Sequence, residues 1–325
     1  MKKTAAQLAV FALEQIGVKY TFGIPGTHTT ELYDEVDKSD QIEPILVTHE
    51  AGGAFMADAI SRTSDSIGVI TIVPAAGLTQ SMSGIGEAFL DGIPMLVIAG
   101  GVRRDSGKSY QLHHFDQMEL AKPITKAQFL IEDHKSVINT IYEAYEIAIS
   151  GEPGPVFLEI PVNLMLFAEV VSEMPNYLQK IAPSNIDYSL VDQAVNLIKS
   201  AKSPMLFVGW GALRANQQII ELAETLVAPV STTLQGKSAF PNEHPLYTSG
   251  GLGAASKPSA QWALKNHDVL IAIGTRFGEI ATGSYGLDQP KNLIHIDINP
   301  TVFDKNYKST VAIESDSKIA VEAIL

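Results

Sequence analysis

The 325-residue sequence contains no cysteine. That absence excludes a disulfide framework, a thiolate zinc site, an iron–sulfur cluster and a cysteine nucleophile. Positive charge is also scarce: 23 Lys and Arg stand against 36 Asp and Glu, for a formal net charge of −13. No Lys/Arg-rich run interrupts that balance. Neither nucleic acid nor an anionic membrane surface is therefore expected as the main partner, since both need concentrated positive charge. Long apolar runs are missing too, and none approaches the length that crosses a bilayer. The opening Met1-Lys2-Lys3-Thr4 looks like the basic start of a signal segment. The next stretch is amphipathic, with Gln7, Glu14 and Gln15 in it, and no cleavage-like site comes after it. A cytoplasmic protein is expected.

Hydrophobic residues make up 46% of the sequence and charged residues 18%, which is ample for large cores and argues against disorder. The length suits two α/β domains of roughly 150 residues each. Thr4 and Gln7 form a capping-box pattern, and Leu8, Phe11, Ala12 and Ile16 fall on one helical stripe, with Gly17 as its stop. Short strands are expected at 18–22, 44–47, 67–73, 94–99 and 156–160, alternating with helices at 51–62, 79–90 and 136–148. Apolar strands separated by helices imply a parallel sheet covered on both faces. A second series comprises a helix at 190–200, a strand at 205–208, a helix through 223, strands at 269–273 and 293–298, and a helix at 317–323. The fold class expected is α/β, with two doubly wound parallel-sheet domains at 1–170 and 189–325. The Pro- and Asn-bearing stretch 171–188 reads as the linker.

Three loops stand out at strand ends, where open α/β sheets bind ligands. The first is Phe22-Gly23-Ile24-Pro25-Gly26-Thr27-His28. The second begins Thr48-His49-Glu50-Ala51-Gly52-Gly53, and it does not complete the H-E-x-x-H pattern of a zinc protease. Its small residues would let something flat approach the backbone. The third, Val73-Pro74-Ala75-Ala76-Gly77-Leu78-Thr79-Gln80, has the spacing of neither a P-loop nor a nucleophile elbow.

In order along the chain, these loops, the stretch 87–101, Lys122-Pro123-Ile124-Thr125-Lys126 and the stretch 151–163 closely resemble the pyrimidine-binding domain of thiamine-diphosphate enzymes. The likeness is greatest to the acetolactate synthase-like group. Residues 204–300 resemble that family's central domain through the stretches 204–212, 231–247, 269–279 and 292–300.

The resemblance implies roles for particular residues. Glu50 would hydrogen-bond N1′ of the cofactor's aminopyrimidine and so promote removal of the thiazolium C2 proton. Pro25, Gly26, Pro74, Gly77, Thr79 and Gln80 would line the cofactor. His28, His113 and His114 would face the thiazolium and relay protons or orient the substrate. His28 resembles the residue found in aldehyde lyases and carboligases, whereas synthases carry a Phe-Gln pair near Leu112-His113. Two substrate classes therefore stay open: a 2-oxo acid with an acceptor carbonyl, or a 2-hydroxyacyl-CoA or hydroxy-aldehyde.

In the central domain, Gly209-Trp210-Gly211 has Arg214 where the third glycine of a dinucleotide fingerprint belongs. Family members that bind FAD or ADP use loops resembling Gly250-Gly251, Gly274-Thr275-Arg276 and Asp297. A non-catalytic nucleotide-binding protein is the rival of another class. No Gly-Asp-Gly triplet occurs, and in the family this motif belongs to the domain that holds Mg²⁺ and the diphosphate. That C-terminal diphosphate-binding domain is expected to be absent from these residues. It would come from a polypeptide cut at the boundary or from a separate paired chain. The family's active site forms between subunits, so a homo-oligomer is expected, with no protein metal ligand in this part.

Overall fold

The computed structural model describes residues 1–179, 186–254 and 256–325. The chain divides into two compact units, Met1–Ile181 and Ala182–Leu325. Each is built around one six-stranded, all-parallel sheet.

The first unit contains strands β1 (Lys2–Lys3), β2 (Tyr20–Gly23), β3 (Glu43–Leu46), β4 (Gly68–Ile72), β5 (Met95–Gly101), β6 (Ala127–Leu130), β7 (Pro155–Pro161) and β8 (Glu169–Val170). Its helices are α1 (Ala5–Gln15), α2 (Thr30–Asp37), α3 (Glu50–Thr63), α4 (Ala76–Asp91), α5 (Gln117–Ala121), α6 (Val137–Ile149) and α7 (Val162–Leu166). The strand order is β3-β2-β4-β5-β7-β6, while β1 and β8 form a separate antiparallel pair. The chain leaves β2 towards β3 and returns past it to β4, so the topological switch point lies between β2 and β4. Ligand crevices of open α/β sheets open at such points.

The capping box that starts α1 is formed. Thr4 Oγ1 accepts from the Gln7 N–H at 3.2 Å, and Gln7 Oε1 accepts from the Thr4 N–H at 3.3 Å. Leu8, Leu13, Ile98, Ile141 and Leu158 are among the side chains that close the core beneath this helix. Burying each such side chain contributes about 1.5–3 kcal/mol. Every residue of β4, β5 and β7 is buried, as a sheet covered on both faces requires. α3 and α4 pack closely: a Cβ on Gly84 would lie 2.6 Å from Ala54 Cβ. At the ends of these helices, Arg62 clasps Asp58 and Asp91.

Of the stretch read as a linker, residues 171–179 lie along the first unit. Val171 is buried, the Tyr142 hydroxyl donates to the Pro175 carbonyl at 2.8 Å, and the Tyr177 hydroxyl donates to the Glu146 carboxylate. Residues 180–185, also within that expectation, lie outside the described residues.

The second unit contains α8 (Tyr188–Ser200), β9 (Pro204–Val208), α9 (Asn216–Leu226), β10 (Val230–Thr232), β11 (Tyr247–Gly250), α10 (Pro258–Asn266), β12 (Val269–Ile273), β13 (Leu293–Asp297), β14 (Val311–Glu314) and α11 (Ser317–Ile324). The order β11-β10-β9-β12-β13-β14 is 3-2-1-4-5-6 in chain sequence, the dinucleotide-fold topology. Its switch point lies between β9 and β12.

Neither β1 nor β8 was expected from the apolar pattern, and within the two six-stranded sheets β6, β10, β11 and β14 were not expected either. Ala-Gln-Phe-Leu in β6 is half-buried at a sheet edge, and Val-Ser-Thr in β10 is buried although mostly polar. Among the described residues no helix is long and apolar enough to cross a membrane.

Candidate active site

The carboxyl edge of the first sheet carries the loops 24–29, 47–49, 73–75 and 102–116, which come after β2, β3, β4 and β5. Glu50 is the first residue of α3. The helix is capped by its neighbour, since His49 Nδ1 accepts from the Ala51 N–H at 3.1 Å. Glu50 is half-buried, and among the described residues no hydrogen bond or ion pair reaches its carboxylate. Its charge bears on Tyr33 of α2: burial first, and Glu50 second, push that phenol's ionisation above its ordinary range. The Tyr33 hydroxyl donates to the Thr71 carbonyl of β4 at 3.0 Å, which pins α2 across the switch point.

The turn after β2 is tight. The Gly26 carbonyl accepts from the Thr29 and Thr30 N–H groups at 2.8 and 3.0 Å, and Pro25 stands exposed beside it. His28 is only 7% exposed. Its backbone rests on β5, where a Cβ at Gly100 would lie 2.2 Å from the His28 carbonyl oxygen, so only glycine fits. The His28 and His113 rings face each other with centroids 5.7 Å apart. Nδ1 of each ring is buried without a hydrogen-bond partner among the described residues, as is Oε2 of Glu31. Burial, then His113, holds the His28 imidazole below the ordinary histidine range, with Glu31 pulling the other way.

His113 sits in the left-handed region at φ +61°. With the exposed His114 it lines a cavity of about 350 Å³ that reaches Arg104, Gln117 and Glu159. Sequence reasoning did not single out these last three. Glu159, on β7, is 3% exposed and accepts from Arg104 at 2.9 Å and from Gln117 Nε2 at 3.0 Å. The signal for it was a lone carboxylate inside an apolar strand, since a buried Glu is rare unless paired. Gln117 had no comparable signal.

Pro74 and Gly77 are buried at the start of α4, across the switch point from Pro25 and Gly26. Thr79 and Gln80 lie a turn further into α4 and are exposed, with the Thr79 hydroxyl donating to the Ala76 carbonyl at 3.1 Å. The first unit thus gathers Pro25, Gly26, His28, Glu50, Pro74, Gly77, His113 and His114 at one sheet edge. Among the described residues no cluster of three or more His, Asp or Glu is placed to hold a metal ion.

In the second unit, Gly250 ends β11 with Gly251 next to it, Gly274 and Arg276 come just after β12, and Asp297 ends β13. All lie at the carboxyl edge. The switch point itself is occupied by backbone: the Gly211 N–H donates to the Gly274 carbonyl at 3.1 Å, and a Cβ at Gly209 would lie 2.0 Å from that oxygen. Asp297 Oδ1 accepts from the Asn299 N–H at 2.9 Å. His295 is buried beneath this edge, its Nε2 2.8 Å from the Thr275 carbonyl, and burial lowers its pKa.

Residues 3–120 match the family model of the thiamine pyrophosphate enzyme N-terminal TPP binding domain, and residues 191–324 match that of the thiamine pyrophosphate enzyme central domain. The chain is 32% identical over its whole length to the acetolactate synthase large subunit of Haemophilus influenzae, covering 58% of that protein. It is 32% identical over 96% of its length to the acetolactate synthase isozyme 1 large subunit of Escherichia coli, covering 56% of it. With the chloroplastic acetolactate synthase of Arabidopsis thaliana it shares 30% identity over 99% of its length, covering 49% of that chain. The chain thus spans about half the length of the curated relatives it matches. By both its units, it belongs to the thiamine-pyrophosphate enzyme family and is acetolactate synthase-like.

Proposed function

We propose that this chain forms the pyrimidine-end half of a thiamine-diphosphate carboligase that acts on 2-oxo acids. One donor loses CO₂, and its remaining acyl carbon joins the carbonyl carbon of an acceptor. The observation that carries the reading is the Glu50 carboxylate, half-buried and unpartnered among the described residues, at the loop edge beside the β2/β4 switch point.

The residues fit the aminopyrimidine end of the cofactor. An acceptor without a partner suits a ring nitrogen, and the buried Nδ1 atoms of His28 and His113 are left unpaired nearby in the same set of loops. Glu50 would hold a proton at N1′, Pro25, Gly26, Pro74 and Gly77 would shape the cleft, and Thr79 and Gln80 would meet its rim. When bound, thiamine diphosphate supplies a nucleophilic carbon and an electron sink for decarboxylation. His28, neutral at physiological pH because burial disfavours its cation, would accept or orient a substrate hydroxyl proton, with His113 and His114 beside it. Mg²⁺ and the diphosphate would be held by a diphosphate-binding domain of another subunit, within a homo-oligomer.

The buried His28 imidazole, with His113 beside it, favours a second reading, a lyase cleaving a 2-hydroxyacyl-CoA or hydroxy-aldehyde, because deprotonating a substrate hydroxyl needs a neutral imidazole and burial holds His28 in that form. Offering the holoenzyme a 2-oxo acid and, separately, a hydroxy-aldehyde distinguishes the two by which is consumed. The test of the common core is hydrogen–deuterium exchange at C2 of bound thiamine diphosphate in the holoenzyme. Exchange should be fast with Glu50 and lost in Glu50→Gln; fast exchange in the variant would overturn the assignment.

A further inference from the structure

Gln117 makes three hydrogen bonds to three different elements. Oε1 accepts from the Ala75 N–H at 3.3 Å, and Nε2 donates to the Gly100 carbonyl at 3.1 Å and to Glu159 Oε2 at 3.0 Å. Gln117 is 2% exposed, so water does not compete for these bonds. Glu159 Oε1 accepts in turn from Arg104, which lies at the start of the loop that carries His113 and His114. Arg104 is fixed a second time, its N–H donating to Asn163 Oδ1 at 3.0 Å.

What these bonds join is strained. Ala75, the residue before α4, sits at φ +55° and ψ −82° with no side-chain cap of its own. His113 sits at φ +61°. A non-glycine residue held at positive φ is strained and persists only where its surroundings over-determine it. Gly100, the third element, is the residue against which the His28 backbone is pressed.

We propose that Gln117 and Glu159 are positioning residues, a buried amide–carboxylate strut that holds the His113 loop against His28 and fixes the Ala75 turn at the same time. Neither side chain is assigned a contact with substrate. The strut accounts for a charged residue in the middle of β7. A carboxylate can accept from both Gln117 and Arg104, whereas an amide at 159 would turn a donor towards one of them. It also accounts for Gly101, where a Cβ would lie 2.6 Å from Glu159 Oε1.

The strut depends on the thiamine-diphosphate reading only for what the two imidazoles do to substrate. The positioning itself is tested on this chain alone. The groups that bear on His28 are His113 from the loop after β5 and Glu31 from α2. Imidazole NMR titrations of the wild type should find His28 below the ordinary histidine range. In Glu159→Gln, nearly isosteric with the wild type, the His113 loop is released and the His28 midpoint should rise towards the ordinary value. Amide exchange at Ala75 and His113 should quicken by about tenfold while the core of the first sheet stays protected. Gln117→Met should do the same.

In the holoenzyme, Glu159→Gln should lower kcat by about tenfold or more through misplaced proton-transfer groups while leaving C2 exchange intact. Absence of C2 exchange in the wild-type holoenzyme sinks the thiamine reading and leaves the strut standing. A folded Glu159→Gln with an unchanged His28 midpoint sinks the strut. So does failure of both single variants to fold, which would make the network a determinant of folding rather than of position.

Discussion

The imidazoles of His28 and His113 face each other at 5.7 Å, each with a buried Nδ1 that no described residue partners. Two such rings cannot both carry a proton cheaply, and burial disfavours the first charge as well. The arrangement is costly for folding, and it leaves a desolvated His28 imidazole, held neutral by burial, at the edge of the sheet where the family model for TPP binding matches.

That cost has a definite pH dependence. Above the ordinary histidine value of 6.5, His28 is neutral in both folded and unfolded chains, so its ionisation adds no pH dependence to stability. As the pH falls through that value, the unfolded chain binds a proton that the native chain does not, so the unfolded state gains. The loss stops growing once the pH passes below the depressed native value. Urea midpoints should therefore fall between about pH 7 and pH 5.5, and His28→Gln should lose less over that interval than the wild type. Equal slopes for the two proteins would show that His28 is not held neutral in the native state.

Glu50→Gln separates catalysis from folding. The carboxylate lies at the N-terminus of α3, where a negative charge stabilises the helix by about 0.3–1 kcal/mol. Removing the charge should therefore lower stability only slightly, while C2 exchange in the holoenzyme falls to background. A large loss of stability would mean that Glu50 has structural partners beyond the described contacts, and the activity result would then say nothing about a proton at N1′.

Much of this was legible in the sequence, and the reason is local. Strands β2, β4, β5 and β7 are apolar and end in Gly/Pro loops, so both the parallel sheet and its loop edge could be read from hydrophobic runs and turn residues. His28 and His113 lie in the loops after β2 and β5, and Glu50 stands where the loop after β3 enters α3, so all three could be singled out without a structure. Gln117 could not, because its importance is that Ala75, Gly100 and Glu159 converge on it from 42, 17 and 42 positions away. Glu159 was visible in principle, but it sat within a run read as an apolar strand. Strand β10 escaped for the opposite reason: Ser231 and Thr232 are fully buried although polar, and tertiary context overrides their composition.

Gly84→Ala tests the packing that places Glu50. On helix propensity alone, the change in the middle of α4 should stabilise by about 1 kcal/mol. The new Cβ, however, would lie 2.6 Å from Ala54 Cβ and 2.9 Å from the Ala54 carbonyl carbon on α3. Overpacking of this kind costs about 1–3 kcal/mol, so the net effect should be destabilising, with α3 displaced. Chemical denaturation gives the sign directly. A more stable variant would show that α3 and α4 can part without cost and that their spacing does not fix Glu50.

Asp297 tests whether the second unit takes a nucleotide. Its sheet has the 3-2-1-4-5-6 order, and Asp297 ends β13 at the carboxyl edge, where a carboxylate can accept from ribose hydroxyls. Against this, the β9/β12 switch point is filled by the Gly209 and Gly274 backbones, so a pyrophosphate would have to lie over the Gly250-Gly251 and Gly274-Thr275 loops rather than between the strands. If ADP or FAD binds there, calorimetry should find one site per chain, and Asp297→Ala should weaken it by about tenfold, the equivalent of one charge-assisted hydrogen bond. Gly209→Ala, whose Cβ would meet the Gly274 oxygen at 2.0 Å, should disturb binding together with the fold, which makes Asp297 the cleaner probe. No heat with either ligand, or binding indifferent to Asp297→Ala, would leave this edge a structural surface.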